Sequence, residues 1–206
     1  ARFLREARSA ARLNHPNIVQ VVGADAWDGG HYLAMQYIEG RGLDVLMRSD
    51  GPLPAHTAVR YIYQTAEALG FAHQAGIIHR DVKPENILID LRNDARLTDF
   101  GLVREAQATL DQPQLTVEGS FLGTPFYMSP EQWRGDDDVD ARTDLFALGV
   151  TLYYLLTKRF PYSGSGPAQV MQRCLAGQPA PVTGHGVELN PALAELVMRS
   201  VQANRD

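Results

Sequence analysis

The sequence is short of cysteine, of long apolar runs and of excess positive charge, and each shortage closes off a class of protein. Cys174 is the single cysteine, so no internal disulfide can form, which is compatible with a reducing compartment. Its simplest role is that of a small, semi-apolar helix residue. The longest apolar run, around Leu145 to Leu156, is too short to cross a bilayer. The opening residues Ala1-Arg2-Phe3-Leu4-Arg5-Glu6 are charged and lack the apolar core of a signal peptide. With 19 Lys and Arg against 24 Asp and Glu, the formal charge is −5. That balance gives no general reason to expect nucleic acid or an anionic membrane as partner. The histidines show no metal-ligand spacing, and there is no internal repeat or low-complexity tract.

What is present suits a globular chain: 206 residues, 45% hydrophobic and 21% charged, enough for one large domain or one domain with part of a second. Phe3, Ala7, Ala10 and Leu13 share one face of an amphipathic helix, which Asn14-His15-Pro16-Asn17 stops. Residues 18–22 and 32–38 are β-rich around a turn signal at Asp28-Gly29-Gly30, predicting two antiparallel strands. Glu39-Gly40-Arg41-Gly42 then reads as a flexible joint. Residues 43–47 predict a short helix. A long helix opens at Pro54, buries Ala58, Tyr61, Ile62, Thr65, Leu69 and Ala72, and stops at Gly76. Residues 87–89 and 96–98 predict a small hairpin. Residues 104–130 hold no sustained period, the mark of a functional or mobile segment. The acidic run 136–140 suits a solvated helix N-terminus, with a metal site as the alternative. Residues 145–156 are apolar nearly all round, as in a helix buried within a domain, and two amphipathic helices follow near 168–176 and 191–203. Helical pattern runs to both ends and no initiator Met is present, so the chain is expected to be a piece of a longer protein.

The chemistry concentrates in His79-Arg80-Asp81-Val82-Lys83-Pro84-Glu85-Asn86, a polar cluster that turns apolar at Ile87-Leu88-Ile89. Charged residues are rarely buried unless paired, so this is either a solvated loop or a built site. Asp99-Phe100-Gly101 downstream favours the site. Phosphoryl transfer from a nucleotide needs phosphates and metal held in place and a hydroxyl oriented for in-line attack. Magnesium prefers hard oxygen ligands, with one or two carboxylates. Asp81, Lys83, Asn86 and Asp99 could supply these parts, and Gly101 permits backbone angles that would turn Asp99 inward.

This ordered set resembles the catalytic loop and metal-binding motif of the protein kinase family. Thr124-Pro125-Phe126-Tyr127-Met128-Ser129-Pro130-Glu131 resembles the end of the kinase activation segment, with Ser129 where Ala is usual. The resemblance covers essentially the whole chain in the right order. It implies an α+β, protein kinase-like fold: a truncated small β lobe, helix plus antiparallel strands, on a mainly α-helical large lobe. Residues 1–38 would be a partial N-lobe with its hinge at 36–38, and 39–206 a C-lobe incomplete at its C-terminus. The implied cofactors are ATP and Mg2+.

The resemblance also implies roles. Asp81 would orient the substrate hydroxyl and accept its proton, Lys83 would neutralise the γ-phosphate, and Asn86 and Asp99 would hold magnesium. Glu6 matches the helix glutamate that pairs with a strand lysine. Met35 matches the gatekeeper, and the backbone of Gln36 and Ile38 would bond adenine above Leu88. Ala10, Val21, His79 and Phe100 match a stacked apolar spine, anchored by Asp144 through the catalytic-loop backbone. Lys83, two residues after Asp81, and Thr124 before Pro125 favour Ser/Thr over Tyr as acceptor. Arg80 beside Asp81 implies pairing with a phosphorylated loop residue, with Thr116 and Ser120 the best candidates and Thr109 next.

The wording of Leu13-Asn14-His15-Pro16-Asn17-Ile18-Val19 and Ser129-Pro130-Glu131-Gln132 is most similar to bacterial eukaryotic-like (Hanks-type) Ser/Thr kinases. Protein substrates follow, with self-association for trans-autophosphorylation as a further expectation and nucleic acid not expected. The expected location is the cytoplasmic side, with any membrane anchor of the parent protein outside this chain. The Gly-rich loop and strand lysine would precede Ala1, so the isolated piece is expected to transfer phosphate poorly and its parent well. Glu131 could be left partly buried and unpaired, because its usual arginine partner would fall a little past Asp206 and Arg205 is a weak substitute. The alternatives are a pseudokinase or docking module without catalysis, and a small-molecule kinase of the aminoglycoside type; Lys83 and Pro130-Glu131 speak for a protein substrate.

Overall fold

The computed structural model describes Ala7 and residues 10–27, 30–100 and 125–204. Glu6, Thr109, Thr116, Ser120, Thr124 and Gly101 lie outside the described residues. Of the predicted first helix, Ala7 and Ala10 are helical and buried, and Ala10 shares one core with Leu13.

Strands β1 (Val21–Trp27) and β2 (Gly30–Met35) form an antiparallel pair whose register runs from Val21 opposite Met35 to Trp27 opposite Gly30. Both strands lie off the predicted ranges. Ile18 does not join β1; it bridges in parallel to Leu97, and Val19 N–H bonds Leu97 C=O at 2.9 Å. Ile18 and Val19 are thus drawn to a different sheet, and pairing extends instead through Ala24-Asp25-Ala26.

The second sheet has the order β3-β4-β5, with β3 (Gly40–Gly42), β4 (Ile87–Asp90) and β5 (Ala95–Leu97) antiparallel throughout. The expected flexible joint at 39–42 is therefore a paired strand. Its glycine has a packing reason: a Cβ at Gly40 would meet Asp90 Cα at 2.9 Å, so only glycine lets the two backbones approach this closely.

Helix α1 (Leu43–Asp50) and helix α2 (Ala55–Gln74) follow. α2 buries Ala58, Tyr61, Thr65, Ala68, Leu69 and Ala72, with Ile62 only half-buried. Gly76, at φ 74, ends it as the left-handed residue that favours glycine. Helix α3 (Pro130–Arg134) precedes α4 (Ala141–Thr157), which Asp140 caps by accepting Arg142 N–H at 2.9 Å. α4 is buried on nearly all sides, each fully buried leucine contributing about 1.5–3 kcal/mol. Leu145 is the exception at 50% exposed. Helices α5 (Pro167–Leu175) and α6 (Pro191–Ser200) close the fold. One core gathers β4, β5, α2 and α4; a second joins Tyr127, Phe146, Val150, Tyr162 and Cys174. Among the described residues, no helix is long and apolar enough to cross a membrane.

Candidate active site

The polar cluster lies between the end of α2 and the start of β4, and the packing around it dictates its shape. Asp144, on the first turn of α4, is fully buried. Its carboxylate accepts the backbone N–H of His79 at 2.8 Å and of Arg80 at 2.7 Å. His79 is buried too. Its Nδ1 accepts Asp81 N–H at 3.2 Å, so Nε2 carries the proton and donates to Thr98 C=O at 2.8 Å. That bond ties the loop to the end of β5, where Asp99 follows. The His79 ring lies against Phe100 with centroids 4.7 Å apart. Ala10, Val21 and Phe100 share the same core.

Asp81, Lys83 and Asn86 converge. Lys83 Nζ lies 2.9 and 2.7 Å from the two carboxylate oxygens of Asp81. Asn86 Nδ2 donates to Asp81 C=O at 2.7 Å and to its Oδ2 at 3.0 Å. Both amide protons of Asn86 are then used, which leaves its oxygen as an acceptor. Pro84–Asn86 forms one 3-10 turn, and Thr98 N–H bonds Asn86 C=O at 3.0 Å. The same turn therefore sets the position of β5 and of Asp99.

Asp99 has φ 63 and Arg80 φ 67, the left-handed region that non-glycine residues seldom occupy. The backbone at Asp99 is itself in this region; the expectation placed on Gly101 lies outside the described residues. Burial pushes the Asp99 carboxyl above its ordinary range and the Asp81 charge adds to this, while Lys83 opposes it. Perturbed acids of this kind concentrate at functional sites.

Met35 ends β2, its sulfur 3.6 Å from Thr98 Oγ1. Gln36 N–H is held by Gln20 C=O at 2.8 Å, and residues 36–38 belong to neither helix nor strand. Leu88 sits on β4 opposite Gly42 and Arg96.

Glu131 departs from expectation. It is buried, at 2% exposure, but it is not unpaired: the Thr143 hydroxyl donates to its Oε1. A neighbour on α4 thus supplies one of its hydrogen bonds. Gln132 was not singled out in the sequence, yet it joins two parts of the site. Its Oε1 accepts Ser129 N–H and its Nε2 donates to Arg80 C=O, both at 2.9 Å. The signal was present, since Ser129 with Gln132 three residues on is a capping-box pattern. Phe126, Tyr127 and Tyr154 pack their rings around Phe160, which fixes 125–134 against α4. Cys174 is fully buried, with its thiol pushed up to about 12 by burial and by Glu131, a structural rather than a reactive cysteine.

Among the described residues no group of three or more His, Cys, Asp or Glu could hold a metal ion, and the acidic run 136–140 forms no such group. An apolar groove of about 540 Å³ between α2, α4 and α6, lined by Val59, Ile62, Leu145 and Leu193 among others, involves neither Asp81 nor Asp99.

Residues 1–192 match the protein kinase domain family. The chain is 40% identical over 211 residues to the serine/threonine-protein kinase pkn3 of Myxococcus xanthus, covering 99% of this chain and 38% of that protein. It is 39% identical over 207 residues to the serine/threonine-protein kinase PknB of Mycobacterium leprae, covering 98% of this chain and 33% of that protein. Among solved structures it is similar to Rad53 residues 1–466 in complex with AMP-PNP, at 25% identity and a TM-score of 0.82, covering 98% of this chain and 50% of that one. The chain thus spans about a third of the length of the curated relatives it matches.

Proposed function

The chain belongs to the protein kinase family, and from that premise we propose that it is the ATP-dependent catalytic domain of a bacterial-type serine/threonine protein kinase, passing the γ-phosphate of ATP to Ser or Thr hydroxyls of proteins. The observation that carries this reading is the convergence of Asp81, Lys83 and Asn86 beside Asp99. Asp81 is partly open to solvent, at 30% side-chain exposure, and can receive a substrate hydroxyl. Its carboxylate orients that hydroxyl and accepts its proton as the oxygen attacks phosphorus. Lys83 then turns from Asp81 toward the phosphoryl oxygens, where its charge is needed during transfer. The lobe division at residues 38 and 39, with adenine held at Gln36 and Ile38 and floored by Leu88, belongs to the same proposal. So do Met35 as gatekeeper, Glu6 as partner of a strand lysine and Thr124 as a support for Asp81 and Lys83.

The donor set fits magnesium. Asn86 has an amide oxygen to offer, and the raised carboxyl of Asp99 is one that a cation would relieve. Asn86 and Asp99 would hold the ion, and when bound it neutralises charge on the phosphate oxygens. A site with two protein oxygens is in keeping with magnesium's habit of completing its shell from phosphates and water. The proposed acceptors are protein hydroxyls, with other copies of the kinase among them, on the cytoplasmic side of a membrane.

Arg80 supports regulation by phosphorylation. Among the described residues its buried Nε finds no hydrogen-bond partner, a cost that a phosphate oxygen would remove. Thr116 and Ser120 are the proposed sites. The double substitution T116A and S120A in the full-length protein lowers activity and abolishes activation on preincubation with ATP; unchanged activity would refute this regulation.

The catalytic assignment is tested with D81N in the full-length protein. ATP binding by calorimetry persists, while phosphotransfer falls by about 10²–10⁴-fold. Transfer within a few-fold of wild type would remove Asp81 from the chemistry.

A further inference from the structure

Three aromatic rings beside the polar cluster stay half-buried between the two cores. α4 ends at Thr157, and Lys158 follows at φ 54 with its N–H on Tyr154 C=O at 2.7 Å. This left-handed cap turns the chain back. Phe160 is thereby laid on Tyr154, with centroids 4.9 Å apart and planes at 19°. Phe126, from the 3-10 turn Pro125–Tyr127, stacks on Phe160 at 4.3 Å and 12°, and Tyr127 meets it edge-on at 5.5 Å. Aromatic pairs of this geometry stabilise each other beyond their area burial, so the stack is a fixed surface. Tyr154 packs against one core, Phe126 and Phe160 against the other. All three rings keep part of their area in solvent.

The stack adjoins the phosphotransfer site. Glu85 lies on the same 3-10 turn as Asn86 and is exposed. Burial pushes the phenols of Tyr154 and Tyr127 up, and the Glu85 charge adds to both. One carboxylate on the catalytic turn is thus within electrostatic reach of two rings of the stack. The surrounding charges make no trap for a cation. Lys158 and Arg159, exposed just before Phe160, offset Glu85, and Asp44 of α1 is already paired with Arg48 at 2.7 Å. What remains uncommitted is apolar area, the feature that marks a recognition surface when it lies beside a polar site.

We propose that Phe126, Tyr154 and Phe160 form a subsite that receives a large apolar side chain of the acceptor protein, flanking the Ser or Thr that is phosphorylated. That the occupant is an acceptor rests on the kinase reading; the selectivity for apolar side chains is read by binding, without phosphate transfer. An extended segment running from Asp81 past Glu85 to the stack is held in register by that side chain, which presents its hydroxyl to Asp81. The driving force is area removed from water, so size and apolarity are selected rather than one residue type.

The experiment uses a peptide library with Ser and Thr at the centre and every flanking position varied, on wild type, Y154E and F126Q of the full-length protein that carries this chain. Two readouts are taken. One is the set of peptides phosphorylated with ATP and magnesium; the other is the set captured by the immobilised protein from the same library with Ala at the centre. Wild type enriches Phe, Leu, Ile and Met over Gln by about tenfold at one flanking position in both readouts. Y154E brings that enrichment below about twofold, favours Arg at the same position and keeps the wild-type pattern elsewhere. A stack with a merely structural role lowers the yield of all peptides alike and leaves the pattern intact, which overturns the proposal. Wild type with no apolar preference at any flanking position, or with Arg preferred where Y154E acts, overturns it too. If Y154E does not fold, F126Q decides: enrichment lowered to about twofold supports the proposal, and undiminished enrichment overturns it. If wild type transfers no phosphate, it is the kinase reading that fails, and the capture comparison decides the subsite on the same criteria.

Discussion

Asp99 is held at φ 63 with its carboxyl pushed up by burial, a state that an isolated aspartate would not adopt. Its effect on stability has a definite sign. Between the unfolded and the raised folded pKa the native chain binds more protons than the unfolded one, so stability falls as pH rises through that window and stays lower above it. D99N removes the titrating group, and asparagine tolerates the left-handed backbone as well as aspartate does. Thermal midpoints measured against pH, without metal or nucleotide, should therefore show D99N more stable than wild type at neutral pH. The difference should shrink as pH drops into the carboxylate range. A D99N midpoint below that of wild type at neutral pH would contradict the burial argument. Arg80, at φ 67, is the companion case, a strained residue kept by the bonds to Asp144 and Gln132 and set beside the proposed base.

At the scale of elements, α4 is what the site leans on. It supplies Asp144 to the loop, Thr143 to Glu131 and a buried apolar face to both cores. Its inner glycine marks where α6 crosses. A Cβ at Gly149 would lie 2.7 Å from Ser200 Cβ and 3.1 Å from the Ser200 carbonyl carbon. Helix propensity alone would make G149A stabilising by about 1 kcal/mol, whereas overpacking costs about 1–3 kcal/mol. The contact is with backbone as well as side chain, so overpacking wins. G149A should lower the free energy of unfolding in urea by about 1 kcal/mol, and adding S200G should recover part of it. A more stable G149A would mean that α6 yields freely.

For the whole molecule, the sequence was most legible where chemistry and periodicity agree. The convergence of Asp81, Lys83 and Asn86 was foreshadowed because charged groups beside an apolar strand demand a reason, while the roles proposed for them and for Asp99 came from the family resemblance. α2 and α4 could be read because a 3.6-residue apolar pattern has few other meanings. The rest depends on partners that only folding reveals. Gly40–Gly42 has poor strand propensity and became a strand because β4 comes close enough to exclude a Cβ. Residues 18–20 looked like part of β1, but β5 offered Ile18 and Val19 another edge. The Thr143 bond to Glu131 overturned the expectation of an unpaired acid. His73 bonds Asp144 from 71 residues away in sequence, and no local pattern announces that bond.

The central claim is that a serine/threonine kinase site is built around Asp81. The most direct measurement is phosphoacceptor mapping by mass spectrometry, after incubating the full-length protein with ATP, magnesium and a mixture of bacterial proteins, with D81N in parallel. The account predicts new phosphoserine and phosphothreonine in the wild-type reaction, no phosphotyrosine, and none of these marks with D81N. Wild-type protein that binds ATP but phosphorylates nothing, or that marks tyrosine instead, would contradict it.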